Sequence, residues 1–334
     1  MQIARISFEG PDGPEPRVVV ASDVEPNRWV DVRAAEGLRR ARAGATPAAA
    51  RRLAAVVVPG SLTEALDTGE AFMDAARAAL ASQDEASAVA PTARFVAPVD
   101  PPAYRDFMAF EAHFRPFYER QGREPPDVMY ELPISYMGSV QAMLGPEDEV
   151  AWPAYSNAID FELELGIVVG RTARNLTPEE AHDHILGFTV FNDFSARDML
   201  RRELAGQMGP CKGKHFASAV GPRIVTTDAI DAMNLEMTAR ANGETWSKGS
   251  TSSLLWSVDE LVAWASTGEN LAAGTLLGTG TVGGGSAGDH GYLTPGDTIE
   301  LEIEHIGVLR NRIGRDPDSD WLPRPRHRAA KARS

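Results

Sequence analysis

Residues 158–170 read AIDFELELGIVVG, with Asp160, Glu162 and Glu164 at every second position and Ile159, Phe161, Leu163 and Leu165 between them. This alternation predicts a strand with one apolar face and one carboxylate face. Acidic residues are depleted in strands and like charges on one face repel, so three in a row need a reason. In an extended chain Glu162 and Glu164 lie about 6.6–6.8 Å apart and point the same way, which suits two carboxylates converging on one hard cation. The competing reading is a half-buried strand whose acids face water. A second stretch, DTIELEIEHIG (residues 297–307), repeats the pattern with Glu300, Glu302 and Glu304 after a Pro-Gly-Asp turn. Alternation alone therefore does not separate the two readings.

The chain around this strand has 334 residues, 43% of them hydrophobic, which suits a soluble protein of one large or two ordinary domains. A net charge of −14 argues against a nucleic-acid partner, which calls for a basic face. No apolar run approaches the roughly 18 residues of a membrane span, so no membrane is expected. The opening MQIARISFEG has no apolar signal-peptide core, and the expected location is the cytoplasm. The single cysteine, Cys211, excludes an internal disulfide framework.

Residues 1–95 mix strand-like pieces (RVVVAS, LAAVVVPG) with Ala-rich helical ones and predict a small N-terminal α/β domain. In SLTEALDTGEAFMDAARAALAS, Ser61 and Glu64 have capping-box spacing. Pro91, Pro98, Pro101 and Pro102 then mark a linker. Residues 96–314 read as short strands, Gly/Pro turns and a few helices, and residues 315–334 as a basic, frayed tail. The expected class is α+β, with a β-rich mixed-sheet C-terminal unit.

Four further stretches carry candidate chemistry. GFTVFNDFSARDMLRREL (187–204) passes from an apolar strand into a helix expected to begin near Ser195, which leaves Asp193 at the strand's end. Arg197 then falls in the first helical turn, where the dipole disfavours a cation unless an anion lies nearby; a surface pair with Asp193 is the plainer alternative. GPCKGKHFASAVGP (209–222) sets Lys212 and Lys214 among glycines, in an exposed loop or as a positive group for an anion. GTGTVGGGSAG (278–288) has GxGxxG spacing but leads to turns and a strand rather than a helix, so a dinucleotide site is rejected. In AYRDFMAFEAHFRPFYERQG (103–122), Phe107, Phe110, Phe114 and Phe117 predict an amphipathic helix with His113 beside its aromatic face.

Taken in order, RDFMAFEAH, LPISYMG, DFELELGIVVG, NDFSARD, GPCKGK and LGTGTVGGG resemble the fumarylacetoacetate hydrolase family, over roughly residues 98–313. The resemblance implies a β-roll-like catalytic domain and a homodimer. It implies a divalent cation, Mg²⁺ or Mn²⁺ with Ca²⁺ as a further candidate, on Asp106, Glu162, Glu164 and Asp193. It implies a catalytic His113 acting with Arg197 and Lys214, and a substrate site built from Tyr136, Arg197, Lys214 and Thr281. Asp160 and the Glu300–Glu304 strand stay structural in this reading. The implied reaction is metal-dependent hydrolysis of a C–C bond in an acylpyruvate or fumarylacetoacetate-like 1,3-dicarbonyl acid. Decarboxylation, isomerisation or hydration of a 2-oxo acid at the same site is the runner-up, and an inactive binding protein the alternative of another class. Three departures bear on this choice. Met108 and Leu200 stand where fumarylacetoacetate-cleaving members have a tyrosine and a glutamine, which implies a less polar substrate. The position of the glutamate that orients the family's histidine falls within GYLTP, which has no acid; Glu111, two residues from His113, does not face it on a helix.

Overall fold

The computed structural model describes residues 1–10, 13–25, 27–317, 319, 321–324 and 326; most of the basic tail lies outside them. Its backbone is an eleven-stranded mixed sheet. Nine strands form the main path: β1 (Gln2–Gly10), β2 (Gly13–Ala21), β3 (Trp29–Asp31), β4 (Tyr104–Phe107), β5 (Ser135–Met137), β6 (Leu163–Val169), β7 (Ile185–Asn192), β8 (Ser218–Thr226) and β9 (Leu276–Gly278). They run in the order β3-β2-β1-β8-β7-β6-β9-β4-β5, and β9 and β4 are parallel. A five-stranded sheet, in which Thr298–Ile303 lies between Glu236–Ala241 and Gly307–Pro317, packs over one face. The α+β class expected from the sequence is the one observed.

Alternation along the strands divides the interior into two layers. Leu163, Leu165, Ile167, Phe188 and Val190 point toward the five-stranded sheet and pack with Met237, Leu301 and Ile313. Val168, Phe191, Val220, Ile224 and Tyr104 point the other way, against Leu62, Phe72 and Ala76. Those last three come from helices α3 (Leu62–Asp67) and α4 (Glu70–Leu80), which follow α1 (Val32–Arg42) and α2 (Pro47–Val57). Every residue of β6 and β7 is buried, because both faces of these central strands are covered.

Several local expectations change. LAAVVVPG is not a strand; its first five residues finish α2, which Thr46 caps and Pro47 opens. Ser61 does cap Glu64 N–H at 3.1 Å, but the helix it starts stops at Asp67, and Gly69, with φ +62°, restarts the chain as α4. The helix expected over Phe107–Phe117 begins only at Glu111, as α5 (Glu111–Glu119). Pairing with β9 and β5 holds Tyr104–Phe107 extended, so Asp106 is a strand residue; Phe117, on the helix, is exposed. The helix expected near Ser195 begins at Arg197, as α6 (Arg197–Ala205). Ser195 and Ala196 pair instead with Asp160 and Ile159.

Candidate metal centre

That short pairing breaks the opening strand in two. Ile159–Asp160 turns aside toward Ser195–Ala196, and β6 starts at Leu163. Glu162 lies in the break, its N–H bonded to Asn192 Oδ1 at 3.0 Å. Glu164 follows on β6, and Asp193 comes directly after β7, whose Asn192 is in register with Leu163. Asp106 on β4 lies opposite Gly278 on β9. Strand β4, strand β6 with the break before it, and the end of β7 thus bring four carboxylates to one point. Asp106, Glu162, Glu164 and Asp193 each offer an oxygen within 4.8 Å of the others, and all four residues are buried. The water-facing reading of Glu162 and Glu164 is overturned. The near-copy strand does face outward: Glu300, Glu302 and Glu304 are partly or fully exposed, and Glu302 pairs with Arg240 at 2.7 Å.

Two cations press on the cluster. Lys214 Nζ donates to Glu162 Oε2, to Asp193 Oδ2 at 2.5 Å and to the Asp193 carbonyl at 3.3 Å. Arg197 reaches Glu162 Oε1 through Nη2 at 2.6 Å and Asp160 Oδ2 through Nε at 2.8 Å. Asp160 also accepts from Ala287 N–H at 2.8 Å, while Glu164 accepts from Gly280 N–H at 3.0 Å and Thr281 Oγ1 at 3.4 Å. The glycine loop is therefore tied at both ends to acids of one strand segment. Tyr136 donates its hydroxyl to Asp193 Oδ2. Tyr104 and Ser218 share a hydrogen bond of 2.9 Å behind Asp193. His113, on α5 with 22% of its side chain exposed, stands 4.0 Å from Glu162 Oε1.

The charges sort the carboxyls into two kinds. Burial, then the neighbouring Asp193, pushes Asp106 well above the usual carboxylate range. Burial and the abutting Asp106 do the same to Glu164. Burial would raise Glu162 as well, but Arg197, Lys214 and His113 hold it down at about 2. Lys214 stays protonated despite its burial because Asp193 and Glu162 favour the charged form. Burial, reinforced by Arg197 and Lys214 against the opposing Glu162, lowers His113 to about 4, so its imidazole is neutral at neutral pH.

The residues present fit a divalent cation. All four donors are hard carboxylate oxygens. Asp106 Oδ1 is buried with no hydrogen-bond partner among the described residues. A Cβ on Gly278 would stand 2.6 Å from Glu164 Oε2 and 2.7 Å from Asp106 Oδ1, so the cradle is open only because that residue has no side chain.

The ligand, catalytic and substrate-binding residues implied by the resemblance lie at or beside this cluster, whereas Lys212 is exposed and Glu300 and Glu302 lie on the other sheet. Arg197, Lys214 and Tyr136 touch cluster carboxylates, and Thr281 supports Glu164. Asp160, read as structural, is a buried partner of Arg197. Glu111 is turned away from His113 and held by Arg115 and Tyr130. Tyr104, Ser218 and Asn192 carried no sequence signal beyond ordinary strand residues, because their roles come from the register of strands distant in the chain.

Residues 103–314 match the family model described as fumarylacetoacetate (FAA) hydrolase C-terminal. The mitochondrial oxaloacetate tautomerase FAHD2A of Homo sapiens is 32% identical over 263 residues, 77% of this chain and 80% of that one. A solved fumarylacetoacetate hydrolase from Exiguobacterium antarcticum superposes with a TM-score of 0.72 at 26% identity, over 95% of this chain and 100% of that one. The maleylpyruvate hydrolase of Sphingobium sp. SYK-6, solved with manganese(II) and pyruvate, shares the fold with a TM-score of 0.66 at 22% identity, over 94% and 99% of the two chains.

Proposed function

Because this chain belongs to the fumarylacetoacetate hydrolase family, we propose that it is a Mg²⁺- or Mn²⁺-dependent enzyme that moves a proton beside the 2-oxo group of a small, anionic 2-oxo acid, as a keto–enol tautomerase or isomerase. One observation carries the choice of reaction. Among the described residues, His113 has no carboxylate to orient it: Glu162, at 4.0 Å, is committed to Arg197 and Lys214, and Glu111 to Arg115 and Tyr130. Splitting a C–C bond with water asks more of that imidazole than relaying a proton does. The likeness to an oxaloacetate tautomerase over most of both chains points the same way.

In this reading Asp106, Glu162, Glu164 and Asp193 hold the cation, which when bound draws electron density from the 2-oxo group. Neutral His113 removes or returns the proton at the adjacent carbon. Lys214 and Arg197 keep Glu162 ionised and oppose the negative charge that develops as the proton leaves. Thr281 and the Gly280 N–H fix Glu164, and Tyr136 fixes Asp193. The reading includes a homodimer and takes residues 96–314 as the catalytic domain. Among the described residues no helix is long and apolar enough to cross a membrane.

C–C hydrolysis of an acylpyruvate is the second reading, favoured by the partial exposure of His113, which lets water reach it. Metal-loaded protein given oxaloacetate and an acylpyruvate in parallel separates the two. Accelerated keto–enol exchange without release of pyruvate is expected. Acylpyruvate cleavage faster than exchange would replace the first reading with the second.

A further inference from the structure

Lys214 reaches the cluster from a turn that has no regular secondary structure of its own, and one side chain grips that turn. Glu203, in the last turn of α6, accepts three successive backbone N–H groups: Cys211 and Gly213 through Oε2, each at 3.0 Å, and Lys212 through Oε1 at 2.7 Å. Consecutive N–H groups aimed at one carboxylate form an anion nest, with charge-assisted hydrogen bonds. A glutamate near a helix C-terminus is disfavoured by the helix dipole, so the nest offsets a local cost. The turn closes on itself through Lys214 N–H to the Cys211 carbonyl at 3.0 Å and joins the site through Ala196 N–H to the Gly213 carbonyl at 2.8 Å. Gly213 lies so close to α6 that a Cβ there would stand 2.7 Å from Leu200 Cα.

The first residue after the three gripped amides is Lys214, whose Nζ ends between Glu162 and Asp193. We propose that Glu203 is the positioning residue for Lys214: by holding residues 211–213 against α6 it sets where the ammonium sits in the carboxylate cluster. α6 then governs both cations, since Arg197 in its first turn holds Glu162 and Asp160. The inference deepens the reading of Lys214 as a working part of the site, but its geometry needs neither metal nor substrate.

The test is competitive acetylation of the folded full chain with sulfo-N-hydroxysuccinimidyl acetate, read at Lys214 by peptide mass spectrometry with exposed Lys248 as the reference. Buried and ion-paired, Lys214 labels slowly in the parent protein. In Glu203→Ala its labelling relative to Lys248 rises by about tenfold, the scale of a lost charge-assisted hydrogen bond. Glu203→Gln, which keeps the size and one acceptor oxygen, gives a smaller rise and serves if the alanine variant does not fold. Turnover of the 2-oxo acid falls in the same rank order. Labelling of Lys214 at the parent rate in a folded variant overturns the inference, even if melting temperature drops, because a merely structural brace would leave the lysine in place. Raised labelling in a protein whose parent form turns over no 2-oxo acid would retain this inference and remove the functional reading instead.

Discussion

Gly278 faces Asp106 where β9 and β4 run parallel, and its bare Cα is what lets the carboxyls of Asp106 and Glu164 approach one another. Gly278→Ala puts a methyl group into that space. Phe191 Cδ1, 2.9 Å from the added carbon, blocks escape on the third side. Overpacking of this kind costs about 1–3 kcal/mol. Mn²⁺ titration followed by electron paramagnetic resonance is expected to show affinity reduced about tenfold or more, since about 1.4 kcal/mol is tenfold. Parent-like affinity would mean that these two carboxyls do not hold the ion.

Asp106→Asn separates metal binding from folding. In the metal-free protein Asp106 and Glu164 are buried acids pressed together, and removing one charge relieves the other. Without metal the variant is expected to be more stable than the parent by on the order of 1 kcal/mol, and so to unfold at a higher temperature. It should lose the upward shift that Mn²⁺ gives the parent. Scanning calorimetry with and without Mn²⁺ checks both, and a metal-induced shift of parent size would exclude Asp106 as a ligand.

The pH dependence of stability has a predictable sign. Asp106 and Glu164 titrate above their usual range when folded, so above that range the native state holds more protons than the unfolded chain and stability falls as pH rises. His113 acts oppositely: its folded value is about 4 against an ordinary value of about 6.5, so it adds stability as pH rises through that window and nothing beyond it. Burial raises Asp160 and Asp31 too, which adds to the acid contribution, and from about pH 6.5 upward His113 no longer opposes it. Urea unfolding of the metal-free protein should give a midpoint that declines above this pH, and Mn²⁺, by displacing the protons, should reverse the decline. A metal-free midpoint that rises with pH there would contradict the shared burial of the two acids.

Asp160→Asn tests the acid that the cation cluster does not include. It weakens the hold on Arg197 and on the Ala287 end of the glycine loop while leaving all four candidate ligands in place. Turnover is expected to fall about tenfold, the scale of one hydrogen bond between charged groups, with a smaller change in Mn²⁺ affinity. Glu302→Gln, in the look-alike strand, should change neither. Equal losses of affinity and turnover in Asp160→Asn would give Asp160 a direct role at the ion.

Much of this was legible in the sequence because the motifs are short and local. The Glu-x-Glu spacing, the Asp193 strand end and the Lys214 turn are each ambiguous alone, however, and it is their order along the chain, through the family resemblance, that singles them out. What stayed hidden depends on pairing across long distances. Asp160 shares the alternation of Glu162 and Glu164, yet its role follows from Ile159–Asp160 leaving the strand to meet Ser195–Ala196. The phenylalanines of residues 107–117 have helical spacing, but pairing with Ser135 on β5 holds Phe107 extended, and β9, some 170 residues later, holds residues 104–106 before it. LAAVVVPG has strand-like valines, and Thr46 and Pro47 upstream start a helix that runs into them. Glu203 carries no signal in the sequence, since nothing in its neighbours shows that three amides turn toward it.

The pairing of β1 with β8 has a consequence for how the chain is made. Ile3 lies opposite Ile224, so one edge of β1 must wait for a partner that leaves the ribosome more than two hundred residues later. Until then β1 and β2 form a hairpin whose Val18 and Val20 can pack on Val58, Leu62 and Phe72, while the edge at Gln2 and Ile3 stays open. Closing so long a loop is slow, and an apolar hairpin left waiting is prone to pair with another chain. The Gln2–Ile3 end of β1 is therefore expected to find its partner late in refolding, after the β1–β2 hairpin has formed.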